Sequence, residues 1–439
     1  MATSIPAREL QVTLRFVHTA DWHLGHQLGE FDRHGEQAQF LDWLAGQLLT
    51  LQADALLVAG DLFDAAIAPA AAQRLWFGFL GRLWRDMPHL QVVAIAGNHD
   101  NAARLDATEP MLDALGRLHI VGAYAPDRPP VPLTDQTGLV RAHVAAVPYL
   151  RPADLALGLP LIAGVRAVYA QAAEQLRAVS QPGQAKLAMG HAYLVGGQVS
   201  ELSERKIQCG HQDALPVDIF AADLAYVALG HLHFAQAVGG RHNVRYAGSP
   251  LPLAMDEMGY RHQVCVVDVA DERVAAIHSL AVPRAVPFLR VPELGALTLA
   301  NLADALAALP DKADLPDQRL WPFAQWHALR EGSRQQTVAL VEDALKSKAV
   351  RVVSRKVEAP PDADDLRAAL PDVKGLDELT PADVFTARWQ QYFGEVPDAA
   401  TLSHFHQLAA WAATATDQGK DDPVAKERRD RVAAALQEV

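Results

Sequence analysis

The sequence contains little cysteine and no long apolar run. Cys209 and Cys265 are its two cysteines, and they form no CxxC pattern. They predict neither a disulfide framework nor a thiolate metal site, which fits a reducing cytoplasm. The most apolar stretch, 155–170, is broken by Pro160 and Arg166 and is too short to cross a membrane. No basic segment followed by an apolar one opens the chain, so we expect a cytoplasmic protein without a secretory signal.

Basic residues are in deficit. The chain has 39 lysines and arginines against 52 aspartates and glutamates, which gives a net charge of −13. This balance argues against an independent nucleic-acid binder, because contacts to phosphates normally leave a basic footprint. Bound divalent cations would reverse the local field, and a partner protein could supply a basic surface. Any binding of nucleic acid by the chain alone should therefore be weak and salt-sensitive.

The first 280 residues alternate apolar strands with amphipathic helices. Strands are expected at 14–17, 55–59 and 91–96, with helices at 37–51 and 70–84 between them. This order predicts an α/β sheet whose ligands lie at the carboxyl ends of its strands. Later in the unit we expect edge strands and loops at 122–152, a helix at 163–179, and strands at 186–189, 225–229 and 264–269.

Three segments are predicted. With 439 residues, of which 50% are hydrophobic, the chain can fill two or three cores. The segments are 12–284, then a smaller βαβαβ unit at 285–360, then a linker with helices at 361–439. In the second segment we expect strands at 288–291, 320–329 and 350–357 and helices at 297–309 and 335–345; in the third, helices at 380–413 and 422–436.

Five short segments share one pattern: an apolar strand-like run, a sharp break, and then metal-binding side chains. They are Asp21-Trp22-His23, Gly60-Asp61, Gly97-Asn98-His99-Asp100, Gly190-His191 and Gly230-His231-Leu232-His233. Any one of them arises often by chance or serves as a turn or helix cap. Together they supply carboxylates, an amide oxygen and several imidazoles, which is enough for two divalent cations.

The first cation would be held by residues from both ends of the unit. Asp21 and His23 lie two residues apart in an extended segment, so their side chains point the same way and can share one ion. His233 would complete that site. Asp61 follows a glycine at a strand end and is the expected bridge, because its two oxygens can reach two ions roughly 3.5–4 Å apart.

The second cation would be held by Asn98, His191 and His231. Oxygen and imidazole ligands without thiolate favour Mn²⁺, with Fe²⁺ or Zn²⁺ as alternatives, over a structural zinc. The glycines of the five motifs are expected to let the chain turn sharply where the backbone meets the cluster.

Four further residues are candidates for catalysis or substrate binding. His99 should face the substrate, where it could hydrogen-bond a phosphate oxygen or protonate the leaving oxygen. Asp100 could accept a hydrogen bond from His99 and fix its tautomer. His26 could line the substrate cleft, and Asp64 could orient a ligand or a substrate, although a turn or cap role is equally expected. The remaining histidines, such as His18, are expected within strands or on the surface.

The wording of the motifs adds a resemblance to a known family. ADWHLG, GDLFD, AGNHD, GHAYL and ALGHLHFAQ resemble the calcineurin-like metallophosphoesterase superfamily, and within it the DNA repair nucleases. The similarity runs from about residue 15 to 413. It also includes Ser203-Glu204-Arg205, residues 246–253, Asp256-Glu257, Trp321-Pro322-Phe323 and residues 380–385.

The resemblance implies a fold and an activity. The fold would be a metallophosphoesterase β-sandwich flanked by helices, followed by an α/β capping domain that positions DNA and by C-terminal helices that dock on an ATPase. The activity would be that of a nuclease with two Mn²⁺ ions, acting as an exonuclease on double-stranded DNA and as an endonuclease on single strands and hairpins. Metal-activated water would hydrolyse the phosphodiester.

The resemblance also implies an assembly. The partner would be an ABC-type ATPase with a long coiled coil, which uses the ATP, so that the complex associates with the nucleoid. The chain would dimerise, through helices near 70–83 and 103–115, within a heterotetramer. Such a partner could supply the basic surface for nucleic acid that this acidic chain lacks.

Two departures and two rival functions accompany the resemblance. Phe234 stands where a basic residue often follows the last motif, and Asn101 where a serine often stands. One rival is a phosphoesterase of the same superfamily that acts on a phosphoester other than DNA, but it would not need the second and third segments. The other is a non-catalytic scaffold, which should have lost ligands that are all present here.

Overall fold

The computed structural model describes most of the chain. The described residues are 12–155, 159–198, 214–359 and 396–415, together with Ile5, Ala382, Phe385, Thr386 and Trp389. The Ser203-Glu204-Arg205 motif, the helix expected at 422–436 and most of 380–395 lie outside them. No helix in the described part of the chain is both long and apolar enough to span a bilayer.

The described elements follow the alternating order expected from the sequence. The strands are β1 Leu14–Thr19, β2 Gln27–Leu28, β3 Phe31–Asp32, β4 Ala55–Ala59, β5 Gln91–Ile95, β6 Leu118–Val121, β7 Val131–Thr134, β8 Val140–Ala146, β9 Ala185–His191, β10 Tyr226–Gly230, β11 Gln236–Val238, β12 Arg241–Tyr246, β13 Gln263–Ala270, β14 Arg273–Ala281, β15 Phe288–Val291, β16 Phe323–Leu329 and β17 Arg351–Glu358. The helices are α1 His34–Thr50, α2 Ala70–Asp86, α3 Ala102–Asp106, α4 Glu109–Asp113, α5 Leu161–Val179, α6 Leu299–Ala307, α7 Arg334–Leu345 and α8 Ala399–Ala415.

Two six-stranded sheets form a sandwich. Their strand orders are β14-β13-β1-β4-β5-β6 and β11-β12-β10-β9-β8-β7. The inner faces share one apolar core, to which Phe16 and Leu57 contribute from the first sheet and Leu187 and Ala228 from the second. Helices α1 and α2 pack on the outer face of the first sheet, and α5 packs on the outer face of the second. The predicted sandwich flanked by helices is confirmed.

Parallel pairing brings the motif-bearing strand ends to one edge of the sandwich. Thr19 pairs with Val58 across β1 and β4, and Gly230 pairs with His191 across β10 and β9. Strand β5 is likewise parallel to β4. Every residue of β4, β5 and β10 is buried, as expected for strands covered on both faces. The loops after these strands therefore meet at the same place.

The boundaries of the elements differ from the expectations by a few residues. Helices α1, α2 and α5 span 34–50, 70–86 and 161–179. In the stretch 122–152, β7 is an edge strand as expected, but β8 pairs on both sides, with β7 and β9. Strand β16 begins at Phe323, because the preceding residues form a 3₁₀ turn and a proline intervenes.

A third sheet, β15-β16-β17, follows the sandwich with α6 and α7 as connections. This is the expected βαβαβ order. By their contacts, the described residues up to 327 and those at 338–356 form one compact unit, whereas those at 328–337 and beyond 356 form another. Within the latter, the rings of Phe385 and Phe405 stack 4.2 Å apart. The domain boundaries at 284/285 and 360/361 stay predictions.

Candidate metal centre

The loops at the shared edge bring the predicted ligands together. Donor atoms of Asp21, His23 and His233 lie within 4.8 Å of one another. The same is true of Asp21, Asp61 and His191. Asp21 therefore belongs to both groups, which places it beside Asp61 at the middle of the centre.

Four of the predicted ligands have backbone conformations that L-amino acids rarely adopt. Their φ angles are +53° at Asp21, +44° at His23, +48° at Asp61 and +106° at His231. The extended backbone expected for Asp21 and His23 is therefore wrong, although their side chains do converge. Such conformations cost on the order of 1–3 kcal/mol each and concentrate at functional sites. Among the described non-glycine residues, only Gln52 and Asp271 share the feature, so backbone strain is concentrated where the ligands were predicted.

The glycines of the motifs serve close approach more than turning. Gly60 has a φ of +93° and does turn sharply. Gly97 and Gly230 have no positive φ, but a Cβ at Gly97 would lie 2.1 Å from Oδ1 of Asp61. One at Gly230 would lie 1.9 Å from the carbonyl oxygen of Ala59. The expected turning role is therefore wrong for these two: the missing Cβ lets neighbouring strand ends touch.

On one side of the centre, carboxylates hold the histidine rings. Nδ1 of His23 lies 3.2 Å from Oδ1 of Asp64, and Nδ1 of His233 lies 2.8 Å from Oε1 of Glu257. Both contacts leave Nε2 directed to the centre, which is the tautomer that a metal requires. We call Asp21, His23 and His233 the carboxylate-backed side.

On the other side, the backbone provides the support. Nδ1 of His191 lies 2.9 Å from the carbonyl oxygen of Ala59, and its Nε2 lies 3.0 Å from Oδ1 of Asn98. Nδ1 of His231 is also 3.0 Å from that amide oxygen. The backbone N–H of His99 donates to Oδ1 of Asp61 over 2.8 Å. We call the four predicted ligands Asp61, Asn98, His191 and His231 the backbone-backed side.

Burial and mutual charge shift the titration of the centre. Burial raises the pKa of Asp21 to about 7, although His191 and His233 oppose the shift. Burial disfavours the imidazolium of His191, but the carboxylates of Asp61 and Asp21 prevail and raise its pKa to about 9. Burial, reinforced by His191, lowers the pKa of His231 to about 3. The centre without cations thus holds protons that a metal would displace.

The residues present fit divalent cations. Oδ2 of Asp21 and Nε2 of His23 are buried and have no hydrogen-bond partner among the described residues. An orphaned buried polar atom is costly, and a metal ion would satisfy both atoms at once. The donor set consists of oxygen and imidazole nitrogen, which suits Mn²⁺ or a similar ion.

His99 and Asp100 lie at the centre, but the contact expected between them is wrong. Nδ1 of His99 lies 2.8 Å from the backbone carbonyl oxygen of Asp64. The carboxylate of Asp100 instead accepts backbone N–H bonds from Leu62, Phe63 and Gly97, at 2.8 to 3.1 Å. Asp100 therefore braces the loops after β4 and β5, since it is turned towards their amides.

Asp64 organises three histidines. Besides the contact with His23, its Oδ1 lies 3.0 Å from Nδ1 of His26, while its carbonyl oxygen meets His99. Burial opposes its ionisation, but the two histidine contacts hold the pKa of Asp64 below its usual range. The other nitrogen of His26 lies 3.0 Å from the carbonyl oxygen of Leu253. His26 thus joins Asp64 to the loop that follows β12.

Glu257 is a residue of the centre to which the sequence assigned no role. It is fully buried, accepts from His233 through Oε1, and accepts the backbone N–H of Leu253 through Oε2 over 2.7 Å. The resemblance included Glu257 in a matching segment. No local pattern ties it to His233, because 24 residues separate the two.

The loop of Glu257 is anchored by a buried arginine. Arg33 makes two hydrogen bonds to Glu36, at 2.9 and 3.1 Å, and donates a third to the carbonyl oxygen of Pro252. Its guanidinium also lies over the rings of Phe288 and Phe323, 5.7 and 5.5 Å from their centroids. Residues of the third sheet thus reach the metal centre through Arg33 and this loop.

The fold and the centre define a class of protein: a calcineurin-like phosphoesterase. A model of that family matches residues 14–235. The SbcD subunit of the nuclease SbcCD from Rhodobacter capsulatus is 38% identical over 394 residues, which cover 85% of this chain and 94% of the relative. The corresponding subunit from Escherichia coli is 34% identical over 318 residues, 70% of this chain and 76% of the relative. That from Bacillus subtilis is 36% identical over 265 residues, 58% and 66% respectively. The chain belongs to the calcineurin-like phosphoesterases and, within them, to the SbcD family of nuclease subunits.

Proposed function

We propose that the chain is the nuclease subunit of an SbcCD-type complex and hydrolyses phosphodiesters of DNA. The observation that carries the proposal is the set of seven predicted ligand side chains at one strained edge of the sandwich, in a chain that matches a nuclease subunit over 85% of its length. A phosphoesterase without activity would have no reason to keep that strain.

The predicted ligands would divide between two divalent cations, which we take to be Mn²⁺. Asp21, His23 and His233 would hold the first ion, Asn98, His191 and His231 would hold the second, and the carboxylate of Asp61 would be available to both. The ions would supply a hydroxide nucleophile at neutral pH and offset charge on the phosphate oxygens. With the cations bound, Asp64, Glu257 and the carbonyl of Ala59 would accept the Nδ1–H of His23, His233 and His191 and so hold each ring with Nε2 towards the metal.

His99 supplies the proton in this proposal. The Asp64 carbonyl occupies its Nδ1, which leaves Nε2 to face the substrate. As an imidazolium, His99 can donate to a phosphate oxygen or to the leaving oxygen. Asp100 acts on the same loop by fixing its backbone. Asp64, for which orienting a ligand was one of the expected roles, contributes by holding the ring of His23. His26, which was expected to line the substrate cleft, joins Asp64 to the carbonyl of Leu253.

The relatives are named as one subunit of a complex, and the assembly proposed here goes further. The partner is an SbcC-type ABC ATPase, which binds and hydrolyses the ATP, and two copies of this chain join it in a heterotetramer. The net charge of −13 supports a partner that supplies basic surface for DNA. The complex acts in the cytoplasm, at the nucleoid, in the processing of DNA ends. The runner-up is a phosphoesterase that acts on a phosphoester other than DNA.

The experiment is Mn²⁺-dependent cleavage of a labelled DNA hairpin and of a small phosphodiester. The variants are His99→Ala and, as a matched control, His242→Ala, which removes an exposed histidine of β12. We expect His99→Ala to abolish DNA cleavage while Mn²⁺ still binds, and His242→Ala to leave it unchanged. Hydrolysis of the small ester with DNA untouched, even with the ATPase partner added, would favour the runner-up.

A further inference from the structure

A narrow cleft opens beside the backbone-backed side of the centre. His191 and His231 lie at one end of it, and three tyrosines, Tyr149, Tyr169 and Tyr193, contribute to its walls. The space between its walls is about 490 Å³ when its open mouth is included. Because that figure includes open solvent, it is an upper bound on the space that the cleft itself encloses.

The walls of the cleft suit a flat, neutral ring. Leucine, valine, proline and alanine side chains complete the lining, and no Asp, Glu, Lys or Arg is found among the described residues that form it. A phosphate or a sugar would find no charged partner there apart from the two metal-binding histidines. An aromatic heterocycle would find apolar surface, aromatic rings and phenol hydroxyls together.

The floor of the cleft is rigid and its mouth is accessible. Tyr169 is 3% exposed, and its ring packs edge-on against Phe220 with centroids 4.7 Å apart. Its hydroxyl lies so close to β9 that a Cβ at Gly190 would approach it to 2.2 Å. Tyr149 and Tyr193 are partly exposed, and the Tyr149 ring stands edge-on to that of His191 at 6.2 Å. The accessible part of the lining therefore includes two tyrosine rings.

We propose that this cleft binds the nucleobase of a nucleotide next to the scissile phosphate. The inference rests on the proposed function, because the cations at His191 and His231 would hold the phosphate while the base of the same strand enters the cleft. Stacking on tyrosine tolerates any base, so the cleft would select nucleotides over simple phosphodiesters without selecting a sequence. None of the ligands or their supporting residues at the metal centre makes that distinction.

The test compares two esters that differ in whether they carry a base: the p-nitrophenyl ester of thymidine 5′-monophosphate and methyl p-nitrophenyl phosphate. The variant is Tyr193→Ala. Tyr193→Phe keeps the ring, and Tyr124→Ala removes a partly exposed tyrosine that does not line the cleft. We expect Tyr193→Ala to lower kcat/KM for the thymidine ester about tenfold, mainly through KM, since stacking of one base has about that effect. The methyl ester should change less than about twofold, and Tyr193→Phe should retain the preference.

A binding measurement gives a second readout. Calorimetry with Mn²⁺-loaded protein should show tighter binding of thymidine 5′-monophosphate than of deoxyribose 5-phosphate, and Tyr193→Ala should remove the difference. Equal losses on both esters, or no difference between the two phosphates in the wild type, would overturn the cleft assignment alone. A wild type that cleaves the methyl ester but neither the thymidine ester nor DNA would overturn the proposed function and the cleft with it.

Discussion

The two sides of the metal centre differ in what holds their histidines. On the carboxylate-backed side, Asp64 and Glu257 fix the rings of His23 and His233. On the backbone-backed side, the Ala59 carbonyl at the end of β4 fixes His191. A carboxylate partner raises the basicity of the ligating nitrogen and can be moved by its loop, whereas a strand carbonyl is fixed by the sheet. The first side should therefore be adjustable and the second rigid.

The loops behind the two sides explain this difference. Glu257 is held by the backbone of Leu253, and Leu253 is held in turn by His26. Their loop continues to Pro252 and so to Arg33. On the backbone-backed side, the carbonyl that fixes His191 belongs to strand β4 itself, and one buried side chain, Asp100, braces the loops that carry Asp61 and Asn98. Replacing first Asp61, the carboxylate expected to reach both cations, and then the supports one at a time should separate the two sides.

Replacing the shared carboxylate should have the largest effect. Asp61→Asn removes the charge that would bridge both cations, and we expect loss of at least one of two Mn²⁺ equivalents with at least about 100-fold lower DNA cleavage. Calorimetric titration with Mn²⁺ gives the stoichiometry. Asp42→Asn, at a carboxylate that is 73% exposed, is the matched control. Two Mn²⁺ bound with unchanged affinity would show that Asp61 is no bridge.

Removing a carboxylate support should weaken one side only. In Glu257→Gln an NH₂ group replaces one carboxylate oxygen. That NH₂ would face a hydrogen-bond donor, either His233 or the backbone N–H of Leu253, and one of the two contacts would be lost. We expect the affinity for one Mn²⁺, the ion at the carboxylate-backed side, to fall by about 10- to 100-fold. Glu30→Gln, at an exposed position, should change nothing. If both Mn²⁺ ions weakened equally, the contrast between the sides would be false.

The elements of this contrast were predictable from sequence to different degrees. The convergence of the predicted ligands within each sheet was predictable, because each lies at the end of a strand and parallel strands end at the same edge. The groups that hold the histidine rings were not predictable. Glu257 and the Ala59 carbonyl reach their histidines across 24 and 132 residues, and periodicity carries no information on such contacts. The expected His99–Asp100 bond failed for a related reason: adjacency in sequence did not reveal that three backbone amides converge on Asp100.

Protonation offers a third way to separate the sides. The pKa of His191 is raised to about 9 by the carboxylates that outweigh its burial, and that of Asp21 to about 7 by burial. A raised pKa means that the proton is kept to higher pH, and metal binding must displace it. Mn²⁺ affinity should therefore rise with pH between about 6 and 9, by about tenfold per unit for each proton displaced.

The proton count can be measured directly. Calorimetry of Mn²⁺ binding at pH 8 in two buffers with different ionisation enthalpies should give about one proton released, mainly from His191. At pH 6.5 the count should be higher, since Asp21 then contributes. Binding heats that do not depend on the buffer would show that His191 is already neutral without metal.

The smallest expected effect lies farthest from the cations, at Arg33. Losing Arg33 alone would leave Glu36 buried and unpaired, at a cost of about 3–5 kcal/mol in the free energy of unfolding. The double variant Arg33→Met/Glu36→Leu removes both charges and should fold, because apolar replacement of a buried ion pair is often neutral. It still breaks the link to Pro252, so we expect the carboxylate-backed side to lose Mn²⁺ affinity by about threefold to tenfold. This loss is smaller than the one expected when a residue in direct contact with a ligand is replaced.

Thermal unfolding of the metal-free variant checks the fold, and Mn²⁺ titration checks the link. A double variant that binds Mn²⁺ as the wild type does would show that the loop of Glu257 holds His233 without help from the third sheet, and the carboxylate-backed side would then be as rigid as the other.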